Sequence, residues 1–116
     1  MYAILVLALS LQPATASAPV ADALIDHESC IAEAATHLAT QAISVDRVVR
    51  ESLSACENEE YAYRDAIVAA DPRAGRMRAS ALARARRARA RRAAEEITAS
   101  VRRMMRREGR RLTPRS

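Results

Sequence analysis

Lysine, phenylalanine and tryptophan are absent from these 116 residues, and glycine (2), cysteine (2), tyrosine (3) and proline (4) are scarce. So few turn formers argue against a sheet-rich fold with frequent chain reversals. Without large aromatic walls a deep pocket for an organic substrate is not expected, so neither a small-molecule substrate nor a cofactor is inferred. What is abundant is alanine, at 27 residues, and arginine, which supplies all 19 basic side chains against 14 acids for a net charge of +5. The length admits one small domain at most.

The longest apolar run lies at the start. Ala3 to Leu9 are uninterrupted, Leu11 extends the run past Ser10, and Pro13 breaks it before the small-residue triplets Ala14-Thr15-Ala16 and Ala16-Ser17-Ala18. An apolar stretch, a helix breaker and an Ala-x-Ala site make up the pattern of a secretory signal peptide, here 1–16 with cleavage after Ala16. A membrane-spanning helix needs about 20 apolar residues, roughly twice what this run offers. The chain is therefore expected to be exported, periplasmic or secreted, and its cysteines to meet an oxidising compartment.

Downstream, apolar residues recur at helical spacing. Leu24, Ile31 and Leu38, with Ala34, Ala35 and Ala42, predict an amphipathic helix over 21–42, with Asp22 or Asp26 as N-cap. Ser44 is a candidate N-cap for a second helix over 45–70, whose face is Val49, Leu53, Cys56, Tyr63, Ile67 and Ala70, interrupted at Glu60. Asp71-Pro72 suits a helix start, opening a third helix that Gly109 would end at 108, with a frayed basic tail over 109–116.

Cys30 and Cys56 are equidistant from Ile43, where capping places the turn between the first two helices. In an antiparallel hairpin such residues come side by side, and with two cysteines only one intramolecular disulfide exists. The predicted fold is all-α: a disulfide-stapled antiparallel hairpin over 17–70 followed by a long arginine-rich third helix over 71–108. The staple matters, because only 16 of residues 17–116 are Leu, Ile or Val, and an alanine-rich helix pair is marginal alone.

Charge divides at Asp71. Residues 17–70 carry ten acids and three arginines, a net of −7, whereas 71–116 carry four acids and sixteen arginines, a net of +12. The segment RARRARARR (84–92) points arginines in nearly every direction around a helix, where neighbours at i, i+4 repel by a few tenths of a kcal/mol. Two outlets exist: the basic helix pairs with the acidic hairpin, or an anionic partner such as acidic lipid, a polyanion or nucleic acid binds the helix over 76–107. The candidate anion-binding residues are Arg84, Arg86, Arg87, Arg89, Arg91, Arg92, Arg102, Arg103, Arg106 and Arg107. A third helix of about 37 residues would be roughly 55 Å long against about 39 Å for the second, so one end should overhang. The overhang would carry either the arginine run or the Ile97-Val101-Met104 stripe into solvent.

Other constellations are weaker. His27 and His37 stand about 15 Å apart along one helix and cannot share an ion. A reduced set of His27, Cys30, Cys56 and Glu60 is the one conceivable metal site, against oxidised sulfurs and a His27 paired with Glu59 or Glu60. Asp26, His27 and Ser29 diverge around a helix and cannot form a hydrolytic triad. Two tyrosines outside the signal segment are too few for base stacking. An exported alanine- and arginine-rich hairpin resembles in architecture the small periplasmic helical stress chaperones, but their LTxxQ-type motif is missing and no residue role is carried across. The expectation is a non-enzymatic structural or adaptor protein of the cell envelope, acting on a protein partner or by self-association, with anion binding as the alternative.

Overall fold

The computed structural model describes residues 18–73 and 75–115; the expected signal segment lies outside the described residues. The protein is all-α, with four helices among the described residues: α1 (Ala18–Ala39), α2 (Val45–Ala55), α3 (Glu57–Ala70) and α4 (Gly75–Arg107). α1 runs up, α2 and α3 return antiparallel to it as one rod with a joint, and α4 runs up again, packed on all three.

The hairpin forms in the register set by the cysteines. Cys30 and Cys56 are joined as a disulfide with Cα atoms 5.8 Å apart. Ser44 caps α2, its Oγ accepting from the Arg47 amide at 3.1 Å, and Asp46 adds negative charge to the first turn. The second helix is not one continuous rod: the joint falls on Cys56, whose backbone (φ −105°, ψ 20°) leaves the helical region at the residue tied to α1.

Three helix boundaries differ from those read in the sequence. α1 begins at Ala18, which puts Asp22 and Asp26 inside the helix rather than at its cap, and it ends at Ala39 rather than Ala42. It stops early because Thr40 and Ala42 bond elsewhere. The Ala42 amide donates to the Thr113 carbonyl and the Thr113 amide to the Thr40 carbonyl, each at 2.8 Å. α4 begins at Gly75 rather than Pro72. A Cβ on Gly75 would stand 3.0 Å from the Val68 Cα, so the absence of a side chain lets α4 start pressed against α3.

The core is built in layers. Tyr63, Ile67 and Ala79 form a cluster near the α3–α4 turn, with Leu24 and Leu82 packed against it. Ile31, Ala35, Val48, Val49, Cys56, Ala90 and Ala94 form a second cluster toward the α1–α2 turn. Between them lies a polar layer of buried His27, Glu60 and Arg86. α4 enters this core mainly through small residues, Ala79, Ala83, Ala90 and Ala94, which let its backbone approach the hairpin closely. Thr98 continues that line, its buried hydroxyl donating to the Ala94 carbonyl at 2.6 Å.

The far end of α4 explains why neither expected overhang occurs. Arg102 lies against the α1–α2 turn, donating from Nε to the Ala39 carbonyl at 3.2 Å and from Nη2 to those of Gln41 and Ile43 at 3.1 and 2.6 Å. The first is a carbonyl left open at the end of α1, and the other two belong to the turn that follows. Met105 is buried, Ile97 and Val101 are half-buried, and only Met104 of the expected stripe faces solvent. α4 ends in a Schellman arrangement: Gly109 has φ +68°, Arg110 donates to Met105 and Gly109 to Arg106. Residues 110–115, read from the sequence as a frayed tail, instead lie along the α1–α2 turn. Thr113 forms a parallel bridge with Gln41, and Arg115 pairs with Glu51 at 2.6 Å.

Candidate functional site

The ten candidate arginines of α4 divide into three that are engaged inside the chain and seven that are not. Arg86 is buried at 7% exposure. Its Nε donates to His27 Nδ1 at 3.1 Å and its Nη1 to Glu28 Oε1 at 3.1 Å. Because a guanidinium only donates, Nδ1 must be the unprotonated nitrogen and the imidazole is neutral with its proton on Nε2. Burial first, then the Arg86 guanidinium, holds this histidine below its ordinary value, against the opposite pull of Glu60, Glu59 and Glu28. His27 thus hydrogen-bonds to α4, while Glu60 and Glu59, the partners expected from the sequence, act on it only through their charge.

Arg87 points to the other side of α4 and makes a bidentate pair with Glu60, Nε to Oε1 and Nη2 to Oε2, both at 3.1 Å. Glu60 is the residue that interrupts the apolar face of the second helix. Its side chain is 9% exposed while that of Arg87 is 56% exposed, so the pair reaches from the core to the surface. Arg102 is the third engaged residue, through the turn carbonyls described above. Local periodicity could not have revealed these roles, since each partner lies at least 27 residues away in sequence.

Arg84, Arg89, Arg91, Arg92, Arg103, Arg106 and Arg107 are exposed and have no side-chain hydrogen bond or ion pair among the described residues. The long-range acid–base pairing between hairpin and α4 therefore rests on Arg86 and Arg87, and the outer face of α4 keeps its positive charge. Acidic side chains Asp22, Asp26, Glu33, Asp46 and Asp65 are exposed on α1, α2 and α3. One rigid bundle thus carries opposite charge on different helices.

Among the described residues, three shallow crevices lie where α4 meets the α2–α3 rod. One, of about 350 Å³, has Arg64, Asp65, Arg76 and Ser80 in its lining, and the other two share Arg87. The smaller of these two, of about 190 Å³, is lined by Glu60, Arg64, Ser80, Ala83, Arg84 and Arg87. The other, of about 260 Å³, is lined by Arg50, Leu53, Ser54, Glu57, Arg87 and Arg91. Arg50, Arg64, Ser54 and Ser80 were not singled out in the sequence, because nothing local relates α2 and α3 side chains to α4.

The metal set weighed from the sequence is not assembled. Its sulfurs are bonded to each other, His27 accepts from Arg86, and Glu60 is held by Arg87. A carboxylate oxygen of Glu59, not Glu60, lies within 4.8 Å of both sulfurs. Nor do Asp26, His27 and Ser29 converge, since His27 is buried toward α4 while Asp26 and Ser29 face solvent. The disulfide fits an oxidising, non-cytoplasmic compartment, and among the described residues no helix is long and apolar enough to cross a membrane. No family model, curated protein or solved structure matches the chain, so its function is argued from its own residues.

Proposed function

We propose that this chain is a small exported, non-enzymatic interaction protein of the cell envelope, delivered by the apolar segment 1–16. Its work is to join partners, or further copies of itself, through oppositely charged faces of a stapled bundle. The observation that carries this reading is the distribution of charge: seven exposed α4 arginines without a partner among the described residues, and exposed acids on α1, α2 and α3. Complementary faces on one rigid body favour association between chains and with charged partners. Sedimentation of the purified exported form tests it: a larger species at low ionic strength should dissociate in high salt, and one mass at both ionic strengths would count against it.

A second reading, direct docking on an anionic surface, is favoured by the same seven arginines, four of which (Arg84, Arg89, Arg91 and Arg92) lie in the alanine–arginine run of α4. Vesicles that contain acidic lipid should then sediment the protein, while neutral vesicles should not. Equal binding to the two would remove this reading.

A further inference from the structure

The two crevices that share Arg87 have the same composition on either side of that side chain. Arg64, Ser80 and Arg84 line the first, Arg50, Ser54 and Arg91 the second, and Arg87 belongs to both. Arg84, Arg87 and Arg91 follow one another at three- and four-residue steps, so they lie along one side of α4. The outer two are separated by about 10 Å of helix rise.

The electrostatics of this seam favour an anion despite its acids, Glu57 and Glu60, with Asp65 in the adjoining crevice beside Arg64 and Arg76. Glu60 is neutralised through both oxygens by Arg87, and Glu57 accepts the Tyr61 hydroxyl at 2.8 Å. Among the described residues, Arg50, Arg64, Arg84 and Arg91 have no salt bridge or side-chain hydrogen bond, and neither do the exposed hydroxyls of Ser54 and Ser80. Guanidinium forks and hydroxyl donors are the groups that recognise phosphate oxygens. Two cradles about 10 Å apart are too far for one phosphate to touch both. Stacking on bases has little to work with, because Tyr63 is buried and Tyr61 lines neither of these two crevices. A planar headgroup layer would meet the outer face of α4 before the recessed seam, whereas a flexible chain can lie within it.

We propose that the seam between α4 and the α2–α3 rod binds a linear chain of phosphates, with Arg64, Ser80 and Arg84 at one end, Arg50, Ser54 and Arg91 at the other, and Arg87 between. This rests on the reading of the protein as one that recognises anions, and it names the ligand class and a site distinct from the outer face. Binding is non-covalent and neutralises the like charges that crowd this side of α4.

Titration calorimetry of the full oxidised chain with short-chain inorganic polyphosphate tests it. Combining Arg64→Gln, Arg84→Gln and Arg91→Gln should weaken binding by at least about tenfold and flatten its salt dependence. A charge-matched control combining Arg73→Gln, Arg78→Gln and Arg111→Gln should weaken it by less than about threefold. All six positions are exposed, so both proteins should fold, as thermal unfolding would show. Orthophosphate should bind far more weakly than the chain. Equal weakening by the two triple variants, or no binding of polyphosphate by the parent protein, would overturn the seam. Tighter binding of a single-stranded oligonucleotide than of polyphosphate would overturn the choice of ligand. The vesicle experiment decides the broader anion reading independently of these outcomes.

Discussion

His27 shows how one buried side chain couples this fold to pH. It is 1% exposed, accepts from Arg86 on α4, and has Glu59 and Glu60 near it from α3 and Glu28 from its own helix. Its folded-state value lies below the ordinary 6.5, so below pH 6.5 the unfolded chain binds more protons than the folded one. Stability from this group is therefore complete above 6.5 and declines as pH falls below it. Protonation removes the acceptor that Arg86 uses and places two cations side by side. The urea midpoint should hold steady from pH 8 to about 6.5 and then fall toward pH 5. His27→Gln, which keeps an acceptor and does not titrate, should remove most of that fall. An unchanged slope in the variant would show that other groups carry it.

At the scale of the element, α4 is set by its alanines. Ala90 and Ala94 are 0% exposed where α4 crosses the hairpin, whereas Ala88 faces solvent on the same helix. Ala90→Leu should cost about 1–3 kcal/mol by overpacking, and Ala88→Leu should change stability by less than about 0.5 kcal/mol, both read from urea unfolding. Similar costs at the two positions would mean that α4 is not docked in this register. The contrast also shows what the sequence could and could not reveal. The α1–α2 register was legible because two local signals, the Ser44 cap and the cysteine midpoint, coincide. The seating of α4 was not, because alanine recurs on every face of that helix and carries no period. The burial of Glu60, read as a break in an apolar face, and of Arg86, read as an anion-binding candidate, was hidden for a related reason: burial of a charge depends on a partner distant in sequence. The tail at 110–115 looked unstructured because its order comes from backbone bonds to Thr40 and Ala42, which no side-chain pattern announces.

For the whole molecule, a small alanine-rich core is held by a covalent link and a few long-range polar contacts. The two apolar clusters contain few large side chains, and the layer between them is polar. Such a bundle keeps one arrangement because three devices reach across it: Cys30–Cys56, the His27–Arg86 and Glu60–Arg87 pairs, and the Arg102 contacts at the α1–α2 turn. Only the first was predicted from the sequence. The charge division at Asp71 was legible too, but its outcome was mixed. α4 docks on the acidic hairpin and still leaves most of its candidate arginines exposed. That remaining charge is what the proposed function uses.

The central claim is that the disulfide between α1 and the α2–α3 joint holds this small core in its folded form. Urea unfolding of the full chain, oxidised and then reduced and alkylated, measures it directly. Closure of a loop with a sequence separation of 26 should contribute about 3.5 kcal/mol on the chain-entropy estimate. The reduced protein should therefore unfold at a much lower urea concentration, or be largely unfolded without urea. Coincident unfolding curves for the two forms would contradict the claim.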